Sequence, residues 1–172
     1  MNLVIFHGFG SSLSNPRYTQ LGIPFTGVPV DYQKLSVDKV YEIYDEIVLK
    51  ALKLEDEPII LGHSLGGWWA RLFAKKYHTK AVLLNPVYSV SMITSEETLP
   101  LVPQYSAYEP FKGQGYLLYY IELGDEVLNF RPYLNEIKNE GYMELIEGGH
   151  HRIQYPENIP IMLSKAENSL IL

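Results

Sequence analysis

Three short stretches of this chain hold residue types that can do nucleophilic chemistry. The first is Gly62-His63-Ser64-Leu65-Gly66-Gly67, a G-x-S-x-G pattern directly after the apolar run Ile59-Ile60-Leu61. A serine at such a strand-to-helix turn sits in a strained backbone conformation above the sheet edge. Glycines two residues before and two after it remove the Cβ atoms that would hold strand and helix apart. The helix that begins there points its positive end at the place where negative charge would develop. The other stretches are Gly124-Asp125-Glu126-Val127-Leu128 and Gly148-Gly149-His150-His151. A serine hydroxyl attacks only when a base takes its proton, and the base must be held by a third group. Ser64, then Asp125 with Glu126 as the rival acid, then a histidine supply these parts in a chain order known for such triads. Each part alone has an ordinary reading, as a surface serine, a turn carboxylate or a loop histidine. Their convergence at the ends of successive strands is what argues for chemistry. The residues by themselves leave both His150 and His151 open as the base.

A substrate oxygen that becomes negative needs two backbone N–H donors, one after the nucleophile and one in the loop after the first strand. These are expected at Leu65 and Phe9, with His7-Gly8 setting the turn that aims the Phe9 amide inward. No G-x-x-x-x-G-K-[ST] or G-x-G-x-x-G pattern is present, which argues against a phosphate-cradling loop. His7 and Gly8 are also expected near substrate, and Trp68 as a wall of the acyl pocket, although Trp68 and Trp69 equally suit core packing. Tyr105, Tyr108, Tyr116, Tyr119 and Tyr120 read as strand and loop packing. His7 and His63 fall at adjacent strand ends, but no carboxylate or cysteine spacing matches them, so no metal site is expected.

The elements that must position these residues alternate between strand and helix. Leu3 to His7 reads as a short buried strand and Thr26 to Val30 as a second, interrupted by Gly27 and Pro29. Ser36 is placed to cap a helix to about Leu52, along which Val37, Val40, Tyr41, Tyr44, Ile47, Val48 and Ala51 recur at helical spacing. Pro58 to Leu61 and Lys80 to Asn85 are further strands, flanking a helix from Leu65 to Tyr77. Residues 87–114 show no period, and a loop of that length usually carries function or covers something. Tyr116 to Leu123 is continuously apolar, as a strand buried on both faces would be. Asn129 caps a helix with Pro132 in its first turn and Gly141 at its end. Tyr142 to Glu147 forms the sixth strand, and a last helix begins near Pro160. This alternation predicts one α/β domain, residues 1–172, with about six mostly parallel strands and helices on both faces. The reacting residues then fall in loops at the carboxyl ends of strands.

The chain of 172 residues is 47% hydrophobic and 20% charged, long enough for one full core. Its net charge of −6 and the lack of a basic cluster argue against nucleic acid or an anionic membrane as partner. With no cysteine, neither a disulfide framework nor a thiol nucleophile is available. The amino terminus has no basic segment and too short an apolar run for a signal peptide, and no stretch is apolar enough to span a membrane. A cytoplasmic protein is expected.

Taken together, His7-Gly8-Phe9, Gly62-His63-Ser64-Leu65-Gly66-Gly67, Gly124-Asp125-Glu126-Val127-Leu128 and Glu147-Gly148-Gly149 followed by His151 resemble the small bacterial α/β-hydrolases of the YqiA esterase type. The resemblance covers most of the chain. It implies a minimal α/β-hydrolase fold, carboxylic-ester hydrolase activity and no cofactor. It also implies a triad of Ser64, Asp125 and His151, which leaves His150 as a loop residue at the entrance. His63 stands where that group often has serine, and the stretch before the fifth strand is short for the group, differences that bear on substrate preference. The expected partner is a small acyl ester or thioester. The alternative is a protein of the same fold that binds a small molecule without turning it over.

Overall fold

The computed structural model describes residues 1–169. Its centre is a six-stranded sheet in the order β2-β1-β3-β4-β5-β6, formed by Phe25–Thr26, Asn2–Phe6, Pro58–His63, Lys80–Leu84, Tyr116–Glu122 and Tyr142–Ile146 respectively. Every neighbouring pair is parallel. Among the described residues six α-helices connect and cover the strands: α1 Pro16–Thr19, α2 Val37–Ala51, α3 Leu65–Tyr77, α4 Val102–Ser106, α5 Leu134–Glu140 and α6 Asn158–Glu167.

Period-two alternation explains why the sheet is covered on both sides. Val4, Phe6, Ile60, Ala81, Leu83 and Tyr119 pack toward α2, α3 and α5. Their immediate neighbours Leu3, Ile5, Ile59, Leu61, Val82 and Tyr120 pack toward α6. A strand buried on both faces has no polar register to offer, so β3 and β4 read as unbroken apolar runs. α2 begins where expected: the Ser36 hydroxyl accepts the Lys39 N–H at 3.2 Å, and Val40, Tyr44, Ile47 and Val48 turn inward one helical turn apart.

The second strand is shorter than its sequence suggests. Only Phe25 and Thr26 pair with β1. Beyond them the Val30 N–H donates to the His7 ring at 2.9 Å instead of to a strand, and Pro29 has no N–H to give. The fifth helix is preceded by a 3₁₀ turn at Arg131–Tyr133 that holds Pro132; Phe130, not Asn129, is the residue that caps this turn, and the Asn129 side chain accepts the Arg131 N–H at 3.2 Å just ahead of it. Gly141 ends the helix in an extended conformation, with φ −165°. Glycine is needed there because a Cβ would run into the Leu117 carbonyl. Residues 87–114 hold two 3₁₀ turns and α4. No helix among the described residues is long and apolar enough to cross a membrane.

Candidate active site

Ser64 occupies the turn between β3 and α3 with φ 53° and ψ −120°, a backbone region that L-residues rarely adopt. The strain is held by two long-range hydrogen bonds, with Leu84 and Val87, and one local bond, with Gly67. Ser64 N–H donates to the Leu84 carbonyl at 3.1 Å, and Ser64 C=O accepts from Gly67 and Val87, each at 2.9 Å. Gly66 is a close-approach residue, since a Cβ there would strike the Phe6 carbonyl. The turn brings a serine to the carboxyl edge of the sheet, where loops from β1, β4, β5 and β6 converge.

The loops after β5 and β6 are zipped together, with Gly124 N–H donating to the Gly148 carbonyl at 2.9 Å. This puts Asp125 beside the histidine pair. The Asp125 carboxylate is fully buried on one side of a 2.7 Å hydrogen bond from His151 Nδ1, while the His151 ring is 14% exposed. Its other oxygen accepts the Val127 and Leu128 N–H groups, both at 2.8 Å. Those two bonds fix the carboxylate's orientation, so its free oxygen meets only His151. Glu126 serves the same loop differently, accepting the His151 backbone N–H at 3.1 Å. That bond holds the largely exposed Glu126 carboxyl below its ordinary range.

With Nδ1 bound to Asp125, the remaining nitrogen of His151 is the one free to exchange a proton with a hydroxyl. Ser64 and His151 line the same two clefts. No direct hydrogen bond joins Ser64 to His151 among the described residues, and catalytic bonds of this kind commonly tighten only in the complex with substrate. Above Ser64, Gly8 carries the loop after β1 across the elbow, where a Cβ would lie 3.3 Å from Ser64 Cβ. The Phe9 and Leu65 amides that follow are taken up by no turn or cap bond among the described residues. Both residues border the cleft that holds Ser64.

Two clefts meet at Phe9, Ser64, Val127, His151 and Arg152. One, of about 530 Å³, is polar and reaches Ser11, Ser12, Asn15 and Arg17. The other, of about 330 Å³, is apolar and is walled by Leu65, Val87, Met92, Ile93 and Leu128. Residues 87–98 of the aperiodic segment therefore border the site.

Four of the residues expected to contact substrate lie elsewhere or act differently. Trp68 is completely buried, its indole N–H donating to Glu109 at 2.9 Å, and packs edge-on against Trp69, Tyr105 and Phe111. It lines neither cleft because the fourth residue of α3 faces the segment around α4. His7 is 1% exposed, and both its ring nitrogens are engaged with backbone, Nδ1 with the Gly8 carbonyl and Nε2 with the Val30 N–H. It braces the loop rather than facing ligand, and burial lowers its pKa. Gly8 presses on the elbow without lining either cleft. His150 is exposed and lines neither cleft; its backbone N–H is turned inward to Glu122 at 2.9 Å, which leaves its ring outside.

Three supporting residues went unrecognised in the sequence. Glu122, fully buried, accepts N–H bonds from His150, Gln154 and Tyr155 and so shapes the histidine loop. Its signal is a lone charge at the end of an otherwise apolar strand. Asn85 bridges the same loops, accepting from Glu122 N–H at 2.8 Å and donating to the His150 carbonyl at 3.1 Å. His63 donates from Nε2 to the His151 carbonyl at 2.7 Å, and its Nδ1 is buried without a partner among the described residues. Burial, with Arg17 and His151 nearby, holds His63 well below the ordinary imidazole range, so it is neutral.

No curated protein matches the chain in sequence. Solved structures do match in fold. Est1E from Butyrivibrio proteoclasticus superposes with a TM-score of 0.75 at 16% identity, over 95% of this chain and 85% of that one. A protein from Xanthomonas campestris described as a "putative hydrolase of the alpha/beta superfamily" gives 0.70 at 14% identity, covering 98% and 99%. A pyrethroid hydrolase from Sphingobium faniae gives 0.65 at 13% identity, covering 98% of each. At such identities the likeness establishes the α/β-hydrolase fold. The model of the family described as Uncharacterised protein family (UPF0227) matches residues 2–98, more than half of the sequence, and the chain therefore belongs to UPF0227, with an α/β-hydrolase fold.

Proposed function

We propose that this protein is a serine hydrolase of small carboxylic esters or thioesters. The observation that carries the reading is the 2.7 Å bond from His151 Nδ1 to a buried, orientation-locked Asp125, with His151 sharing its clefts with a strained Ser64. A protein that only binds a ligand has no use for this combination. In the proposed reaction His151 Nε2 takes the Ser64 proton as the hydroxyl oxygen attacks the acyl carbon. The carbonyl oxygen becomes an oxyanion facing the Phe9 and Leu65 N–H groups and the positive end of α3. The intermediate collapses, His151 returns the proton to the departing alcohol or thiol, and an acyl-serine remains. Water, activated by the same imidazole, then releases the acid. Asp125 keeps the proton on Nδ1 throughout. No step calls for a cofactor.

A fluorophosphonate probe followed by peptide mass spectrometry tests the reading directly. An adduct on Ser64, absent in Ser64→Ala, is expected, and Ser64→Ala should lose ester hydrolysis by about a thousandfold or more while staying folded. No adduct in folded protein would favour a binder without turnover.

A further inference from the structure

The polar cleft beside Ser64 is lined by two arginines, Arg17 from α1 and Arg152 from the loop after β6. Arg17 Nη2 donates to the Arg152 carbonyl at 3.0 Å, tying α1 to that loop. Its Nε and Nη1 are buried without a hydrogen-bond partner among the described residues, as is the Ser11 hydroxyl in the same cleft. Arg152 is exposed and borders both clefts. Neither guanidinium forms an ion pair among the described residues. Arg71 shows the ordinary arrangement, with Glu140 at 2.8 Å. The one acidic side chain in the cleft, Glu126, is engaged with the His151 backbone at 3.1 Å.

Two guanidiniums without an ion-pair partner, in a partly desolvated cleft, repel each other. Burial above all lowers the Arg17 pKa; Tyr18 and the Glu122 carboxylate oppose that and Arg152 adds to it, and a guanidinium stays charged in proteins. In a chain of net charge −6 such a concentration of positive charge is local and needs a reason. We infer that the polar cleft is the leaving-group subsite and selects esters whose alcohol portion carries an oxyanionic group, a carboxylate or a phosphate. Arg152 supplies the reachable fork of donors, and Arg17 backs it with a second charge. The acyl portion falls to the apolar cleft, where Val87, Met92, Ile93 and Leu128 offer it hydrocarbon; Arg152 borders that cleft too, but there it shares the lining with Glu97 and lacks the second charge, since Arg17 lines only the polar cleft. The assignment rests on the serine-hydrolase reading.

The test compares phenyl acetate with its 4-carboxy and 4-phosphate derivatives on the parent, Arg152→Gln, Arg152→Lys and Arg17→Gln. Taking each variant's kcat/KM relative to the parent cancels the intrinsic reactivity of the ester. Arg152→Gln should depress at least one anionic ester at least tenfold more than phenyl acetate, and Arg152→Lys much less so. Which derivative responds identifies the group. Arg17→Gln should act in the same direction, and if removing its bond to the 152 carbonyl unfolds it, the exposed Arg152 variants still decide. Equal effects of Arg152→Gln on all three esters overturn the inference while leaving the hydrolase reading intact. If the folded parent hydrolyses none of them, the hydrolase reading fails and binding decides. Calorimetry on Ser64→Ala should then show saturable binding of benzoate or phenyl phosphate but not phenol, lost on adding Arg152→Gln; no such binding overturns the inference.

Discussion

Asp125→Asn tests the geometry most sharply, because the structure dictates which way the new amide must lie. One Asp125 oxygen accepts two backbone N–H groups at 2.8 Å, and the other accepts His151 Nδ1–H at 2.7 Å. If the asparagine turned its NH2 toward Val127 and Leu128, it would set a donor against two donors. It therefore keeps its oxygen there and presents NH2 to His151. The imidazole can bond to that group only through an Nδ1 lone pair, which moves its proton to Nε2, the atom that the proposed mechanism needs free to take the Ser64 proton. The wrong tautomer in an intact triad costs about 10⁴ in kcat, near 5 kcal/mol of barrier, with a smaller change in KM. Losing one charge-assisted buried hydrogen bond costs about 1.5–3 kcal/mol of stability, which a domain of ordinary stability survives. Steady-state kinetics on a soluble aryl ester, with urea unfolding as the fold control, would read both. Glu126→Gln is the paired control, expected to keep at least a tenth of the activity because an amide oxygen can still accept the His151 N–H. A mild Asp125→Asn beside a crippling Glu126→Gln would refute the reasoning.

The histidine pair should separate in the same assay: His151→Ala abolishes turnover and probe labelling, while His150→Ala keeps at least a tenth of the activity, and the reverse result would move the base to His150. The apolar cleft of about 330 Å³ is at the small end of ligand pockets, so a series of acyl chain lengths should peak at short or medium chains. Each methylene that fits is worth about 0.8 kcal/mol, or roughly fourfold, and a peak at long lipid-like chains would contradict the cleft assignment. Burial lowers both His7 and His63 below the ordinary value of 6.5, so below that pH the unfolded chain takes up protons that the folded chain refuses. Stability is then full above about pH 6.5 and falls as pH drops toward the folded pKa values, by up to about 1.4 kcal/mol per pH unit for each group. Urea unfolding at pH 7 and pH 5 should show this loss reduced in His63→Gln; an unchanged slope would mean that His63 does not contribute.

Much of the scaffold was legible without coordinates because its rules are local. Unbroken apolar runs marked β1, β3, β4 and β5, and helical spacing with a serine cap marked α2. The glycine spacing around Ser64 announced the tight strand–helix turn, since only there must backbones pass so closely. Tertiary structure decided everything that depends on direction. His150 and His151 are adjacent, and which ring reaches Asp125 follows from Glu122 pulling the His150 N–H inward, across the fold. The sequence marks Trp68 as aromatic on the elbow helix, but only the packing of Tyr105 and Phe111 turns it away from Ser64. His7 reads equally well as ligand contact or brace until Val30 and Gly8 claim its two nitrogens. Hydrophobic period and turn chemistry are encoded among near neighbours, whereas the aim of a polar side chain is set by partners that only the folded chain brings within hydrogen-bond reach.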